Sequence, residues 1–197
     1  MNSMNLIPDA EEELDTRNPL VVTIDDVLSG AECAALIARI EAAGPTQAPI
    51  TTAGGFAMRP DLRNNTRVMF DDPALAKTLF ERVRAHVPAR LEGEWHLCGA
   101  NERLRCYRYA PGQYFAPHFD GAFARGRTER SLLTFMVYLN TCEAGGHTGL
   151  IDLELEISPR PGRALLFNHH LLHEGAEVHR GLKYAVRSDL MYRLATG

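Results

Sequence analysis

The sequence predicts an α+β fold that is mainly β, with helices gathered before residue 100 and strands after it. Two early stretches carry apolar residues at helical spacing, the apolar pattern turns to alternation from Leu104, and turn-forming groups divide that later part. The first 18 residues, MNSMNLIPDAEEELDTRN, are acidic and lack the basic and apolar regions of a secretory leader, so a flexible tail is expected there. Residues 19–197 are expected to form one domain, with helical support over about 19–100 and the strand-rich, site-bearing part over about 101–195.

The elements follow in order. After the β-branched run VVT, Ser29 and Glu32 have the spacing of a capping box, and Ala34, Leu36, Ile37, Ile40 and Ala43 recur on one helical face until Gly44. Asp72 can cap a second helix whose first turn suits Pro73. Leu75, Leu79, Phe80, Val83 and Val87 form its apolar stripe, and Pro88 ends it. Between these helices, residues 45–71 read as loop with short strand pieces. In the second half, APGQ, EAGGHTG, SPRPG and HRG separate strands. Leu133, Phe135, Val137 and Leu139 share one face of a strand, and Leu132, Thr134, Met136 and Tyr138 share the other. Near the end, Leu182, Tyr184, Val186, Leu190 and Tyr192 oppose Lys183, Ala185, Arg187 and Asp189. A sheet packed on helices by its apolar side turns such polar residues to water or into a pocket.

Composition narrows the function classes. Hydrophobic residues at 45% and charged residues at 23% suit a soluble globular chain, and a net charge of -4 with pI near 6.1 argues against nucleic-acid or anionic-membrane binding. Nothing approaches the roughly 20 continuous apolar residues of a membrane span. Cys33, Cys98, Cys106 and Cys142 form no CxxC pair, which predicts reduced thiols and a cytoplasmic setting.

The chemistry concentrates in APHFDG and FNHHLLHEG. In an extended segment His118 and Asp120 lie on one face, about 6 to 7 Å apart at roughly 3.3 Å of rise per residue. His169, His170 and His173 offer a third donor, and two imidazoles with one carboxylate form the facial set that holds non-heme Fe(II) and leaves coordination positions open. An isolated HxD more often lies in a surface turn. Its context here includes Lys183, ten residues after His173 on the polar face of a strand, where a cation can pair with the distal end of a dicarboxylate. Arg187, one pleat repeat further, can reach the same group or pair with Asp189.

The segments YRYAPGQYFAPHFD, YLNTCEAGGHT, PGRALLF and HEGAEVHRGLKYAVRSDLMY occur in this order, and over about residues 102–193 the chain resembles the iron(II)- and 2-oxoglutarate-dependent oxygenases of the prolyl 4-hydroxylase type. The resemblance implies a double-stranded β-helix, or jelly roll, buttressed by N-terminal helices. It implies His118, Asp120 and His173 as iron ligands, Lys183 as partner of the 2-oxoglutarate 5-carboxylate, and Tyr109 and Tyr138 in the co-substrate pocket, with Arg187 as a further candidate there. His169 shares parity with His173, but only His173 sets a lysine at the family's spacing. Fe(II), 2-oxoglutarate and O2 are the implied cofactors, with ascorbate as a candidate reductant. The implied reaction hydroxylates an unactivated C–H bond and releases succinate and CO2. Asp at position 120, where related halogenases have Gly or Ala, favours hydroxylation over halogenation.

The substrate is expected to be a small molecule or an amino-acid or peptidyl group, with prolyl 4-hydroxylation of a protein as the alternative. A zinc hydrolase and a non-catalytic metal- or ligand-binding jelly roll are the readings from other classes. Arg63, Arg67, Arg125, Arg127 and Arg130 can clamp an acidic group, although solvated charge is the expectation for most of them. The segment GAFARGRTERS is expected to act as a lid. No oligomeric state is indicated.

Overall fold

The computed structural model describes residues 20–52, 54–91 and 94–195; the expected tail over 1–18 lies outside the described residues. An antiparallel main sheet runs in the order Val21–Ile24, Ala164–Asn168, Glu129–Tyr138, Lys183–Leu194, Arg103–Tyr109, Thr66–Asp71, Thr46–Gln47. Trp95–Ala100 pairs with the distal part of Lys183–Leu194 and with Arg90–Leu91. A smaller antiparallel sheet, Leu155–Ile157, Thr148–Leu150, His173–Gly175, Phe115–His118, carries the two histidines of interest. The two sheets make the jelly roll, and every strand pair among the described residues is antiparallel.

Strand alternation sorts the main sheet into two chemistries. Leu104, Cys106, Leu133, Phe135, Val137, Leu166, Tyr184 and Val186 face the helices in one core, while Met136, Leu165, Phe167 and Ala185 join a second, interior cluster. The helix Gly30–Ala42 is nucleated by the expected capping box, in which Ser29 Oγ accepts from the Glu32 N–H and Glu32 Oε2 accepts from the Ser29 N–H. The helix Pro73–Val83 starts where Asp72 Oδ1 accepts from the Leu75 N–H, and it buries Ala76, Leu79 and Val83. It stops sooner than expected, giving way to a 3-10 turn over Arg84–His86. Val87 is extended, as the residue before a proline prefers. No helix among the described residues is long and apolar enough to cross a membrane.

Two further expectations are corrected. Within residues 45–71, Thr66–Asp71 is a full strand of the main sheet, hydrogen-bonded along Arg103–Tyr109. Its alternation of Val68 and Phe70 with Arg67 and Met69 suits a strand with one face on the helices and one on the cavity. The expected lid is tied down: Ala124 bridges Arg130, the Ser131 N–H donates to Phe123 O at 2.8 Å, and Arg125 pairs with Glu102 and Glu129.

Candidate metal centre

His118 ends one strand of the smaller sheet and His173 begins its neighbour, and the pairing register sets them opposite each other. Asp120, past the strand end, turns its carboxylate to both. His118 Nε2 stands 3.9 Å from Asp120 Oδ1 and His173 Nε2 stands 3.4 Å from Asp120 Oδ2, with one donor atom from each residue within 4.8 Å of the others. Ligands at right angles with bonds of about 2.1 Å stand about 3 Å apart, so a modest contraction closes this set on one ion.

The donor chemistry also fits. His118 Nδ1 lies 2.8 Å from Ala116 O and His173 Nδ1 lies 2.8 Å from Leu171 O. Donation to those carbonyls fixes the Nδ1–H tautomer and leaves each Nε2 lone pair toward the centre. Burial, reinforced by the neighbouring His173, pushes the pKa of His118 down to about 3, so its imidazole is neutral. Burial alone would raise the Asp120 pKa, but the Arg187 guanidinium at 3.0 Å outweighs it and holds the carboxyl well below the usual range. Two imidazoles and a carboxylate are the donor set of a facial Fe(II) site.

Behind Asp120 runs a buried chain of hydrogen bonds. Thr134 Oγ1 donates to Asp120 Oδ2 at 2.6 Å, His169 Nδ1 lies 3.0 Å from Thr134 Oγ1, His169 Nε2 lies 2.8 Å from Ser131 Oγ, and the Phe123 N–H donates to that Ser131 oxygen. Because the threonine proton goes to the carboxylate, His169 is assigned as the Nδ1–H donor to Thr134 and accepts from Ser131 at Nε2. Burial drives the His169 pKa down to about 4, in keeping with a neutral ring. His169 therefore stands one residue behind the donors and not among them.

A cavity of about 430 Å³ opens over the three donors and reaches Lys183, Tyr109 and Thr148. Lys183 is 2% exposed, its ammonium lies 5.0 Å from the Tyr109 ring centre and 5.7 Å from that of Tyr138, and it pairs with no carboxylate among the described residues. Burial lowers its pKa to about 8. Tyr138 sits behind the wall, donating its hydroxyl to Thr148 Oγ1 at 2.7 Å, and Thr148 is the residue of that pair that lines the cavity. Gly175 leaves room beside Tyr109, whose hydroxyl would stand 3.3 Å from an added Cβ. The buried cation with its polar neighbours can receive one end of a dicarboxylate while the metal position takes the other.

Of the two settings expected for Arg187, the structure shows the pair with Asp189 and adds one with Asp120. Its guanidinium lies 3.0 Å from both Asp120 and Asp189, so two acids neighbour it, whereas Lys183 has no carboxylate partner among the described residues. Arg63 and Arg67 line the cavity; Arg125, Arg127 and Arg130 do not. Sequence reasoning missed the roles of Thr134 and Ser131. By parity they belong to opposite faces of Glu129–Tyr138, and a register shift between Ser131 and Leu133, with the long-range contact to His169, brings both hydroxyls to one side.

Comparison with known proteins follows this geometry. Residues 104–188 match the 2OG-Fe(II) oxygenase superfamily. The chain is 30% identical over 101 residues to a candidate prolyl 4-hydroxylase of Acanthamoeba polyphaga mimivirus, covering 42% of each chain. It is 35% identical over 81 residues to the human prolyl 4-hydroxylase subunit alpha-3, covering 38% of this chain and 15% of that one. It thus spans less than half the length of these relatives. The viral collagen prolyl hydroxylase of Paramecium Bursaria Chlorella virus-1, solved with 2OG, has a TM-score of 0.65 at 23% identity, covering 88% of this chain and 96% of that one. A Pseudomonas putida prolyl-4-hydroxylase has a TM-score of 0.66 at 17% identity, covering 89% and 95%. These structural likenesses establish the shared fold.

Proposed function

From the premise that this chain carries a 2OG-Fe(II) oxygenase domain of the prolyl 4-hydroxylase type, we propose that it is an Fe(II)- and 2-oxoglutarate-dependent dioxygenase that hydroxylates an unactivated C–H bond and releases succinate and CO2. One observation carries the reading. Three donors from two segments, His118 and Asp120 on one and His173 on the other, converge in the cavity that also holds a buried lysine with no carboxylate partner among the described residues.

His118 and His173 would hold the iron through Nε2, with their Nδ1 protons anchored on backbone carbonyls, and Asp120 would supply the anionic ligand. Iron bound there supplies the oxygen chemistry that couples decarboxylation of 2-oxoglutarate to substrate oxidation. Lys183 would pair with the 5-carboxylate. In the low-dielectric base of the cavity that charge-assisted contact is stronger than in water, and it offsets the desolvation of the ammonium. Thr148 and the Tyr109 hydroxyl, which line the same cavity, would receive that carboxylate beside Lys183. Thr134 and Arg187 steady Asp120 from behind, so the ligand carboxylate is oriented before any ion arrives.

The prime substrate is a small molecule or an amino-acid or peptidyl group. The prolyl hydroxylases among the relatives support a peptidyl proline as the alternative. The free state of all four cysteines supports a reducing, cytoplasmic setting. Anaerobic reconstitution with Fe(II) and 2-oxoglutarate tests the reading: a weak visible charge-transfer band should appear with wild type and be absent from Asp120→Ala. Bond hydrolysis without oxygen, or metal binding without any 2-oxoglutarate association, would displace the proposal.

A further inference from the structure

The cavity wall holds more positive charge than the proposed metal and co-substrate require. Asp120 and Asp189 pair with Arg187, Asp189 also pairs with Arg105, and Asp71 pairs with Arg103. Arg63 and Arg67 line the same cavity, and neither pairs with a carboxylate among the described residues. Glu174 also lines it, but its carboxyl lies against Gly149 in the smaller sheet and pairs with neither arginine.

Arg63 is the more unusual of the two. It is only 4% exposed, it donates Nε to Asn65 Oδ1 at 2.7 Å, and its Nη2 is buried with no hydrogen-bond partner. Its guanidinium lies over the rings of Phe115, at 4.2 Å, and Tyr107, at 4.8 Å. Phe115 in turn stacks on His118 with ring centres 3.5 Å apart, so only one ring separates this cation from a metal donor. A buried guanidinium with no counter-charge is costly, and aromatic faces offset only part of that cost. Arg67, on the cavity face of Thr66–Asp71, stands close enough to add to the same field. Burial and then repulsion from Arg63, Arg105 and Arg187 lower its pKa, against attraction from Tyr107. The overall charge of the chain is negative, so this positive field is local to the cavity. Beside the arginines, Phe56, Met69 and Phe119 line the cavity and remain exposed, Phe119 by 52%.

We infer that the prime substrate is anionic, an apolar body bearing a carboxylate or phosphate, and that Arg63 and Arg67 hold its charged group on the wall formed by Thr66–Asp71 and the residues leading into it. Guanidinium forks bind either oxyanion bidentately, and the exposed Phe56, Met69 and Phe119 cover the apolar remainder. This inference rests on the proposed oxygenase reading, because it assigns Lys183 to 2-oxoglutarate and leaves the two arginines for the second ligand.

The test uses the full chain loaded with Mn(II) and saturating 2-oxoglutarate without oxygen, and reads thermal unfolding and calorimetric binding. Stabilisation by 2-oxoglutarate is measured first, and its absence would defeat the parent reading. The loaded protein is then titrated with alkyl and aryl carboxylates and phosphate monoesters of graded length, each beside its uncharged amide or alcohol. At least one anionic series should bind tenfold or more tightly than its neutral partner, and the series that does so identifies the charged group. Arg67→Gln should abolish that preference and Arg67→Glu should shift it toward matched amines, whereas Arg127→Gln, exposed and outside the cavity, should retain it. Equal binding of anionic and neutral partners, or a preference that survives Arg67→Gln, would overturn the inference while leaving the oxygenase reading intact.

Discussion

Thr134→Val isolates how the fold prepares the metal centre. Valine matches threonine in shape at a site only 1% exposed, so the change removes the hydroxyl and little else. What is lost is the 2.6 Å donation to Asp120 Oδ2, together with the acceptor for His169 Nδ1. A hydrogen bond to a charged group contributes about 1.5 to 3 kcal/mol, which corresponds to roughly 10- to 150-fold in an equilibrium constant. With Thr134 gone, the Arg187 ion pair is the remaining cationic hold on that carboxylate oxygen, and it draws the group toward Asp189 and away from the histidines. Most of the loss should therefore appear as weaker metal binding, within the 10- to 100-fold typical of outer-shell substitutions. Mn(II) affinity by competition against a chelating dye gives the number, and urea unfolding of the metal-free protein gives the control. Unchanged Mn(II) affinity beside reduced unfolding stability would show that Thr134 serves packing alone, and the positioning argument would fail.

The remaining predictions concern activity, charge and backbone. Asp120→Ala should reduce succinate formation to background, and full turnover in that variant would remove Asp120 from the ligand set. Lys183→Met should raise the 2-oxoglutarate concentration for half-saturation at least tenfold while stabilising the ligand-free protein, because the lysine charge is buried with no carboxylate partner among the described residues. The sign follows from its lowered pKa: below about 8 the ammonium is charged in both folded and unfolded chains and burial is a penalty of about 3 kcal/mol, a depression of roughly 2.5 units at 1.36 kcal/mol each. That penalty fades as pH rises from about 8 toward 10.5, so wild-type stability relative to Lys183→Met should increase across this window in urea titrations; a constant difference would contradict it. Gly162→Ala should cost about 2 to 4 kcal/mol, since Gly162 has φ of +75° and an added Cβ would stand 2.0 Å from Leu28 O. A thermal midpoint within a degree of wild type would show that this loop yields freely.

What the sequence discloses and what it hides divide along a physical line. Ser29 with Glu32, Asp72 with Pro73, and the alternation through Glu129–Tyr138 are local patterns, and each describes its element without reference to anything distant. The same holds for His118 and Asp120, whose common face depends only on an extended backbone. Thr66–Asp71 was also locally patterned, but the polar run RNN before it made the segment look solvated. His169 and His173 are equivalent by parity; the family resemblance favours His173 through its spacing to Lys183, and the pairing of His173 with His118 across two strands gives the physical reason that His173 faces the site and His169 stands behind it.

Charge compensation lies on the hidden side of that line except for Arg187 with Asp189, whose two-residue spacing on one strand face is local. A one-dimensional reading offers Arg187 either a pocket carboxylate or Asp189, and it groups Arg63 and Arg67 with candidate clamps that are mostly solvated, because nothing adjacent to either marks burial. Arg187 becomes part of the candidate metal centre through carboxylates on two different elements, whereas Arg63 is covered by Phe115 and Tyr107 and pairs with no carboxylate among the described residues. Beyond such local pairs, whether a buried cation is neutralised by the protein or left for a ligand is a property of residues distant along the chain, as Arg187 with Asp120 shows. The arginines that strand pairing leaves uncompensated are therefore those from which substrate charge is best inferred, and this asks more of the fold than of the motif.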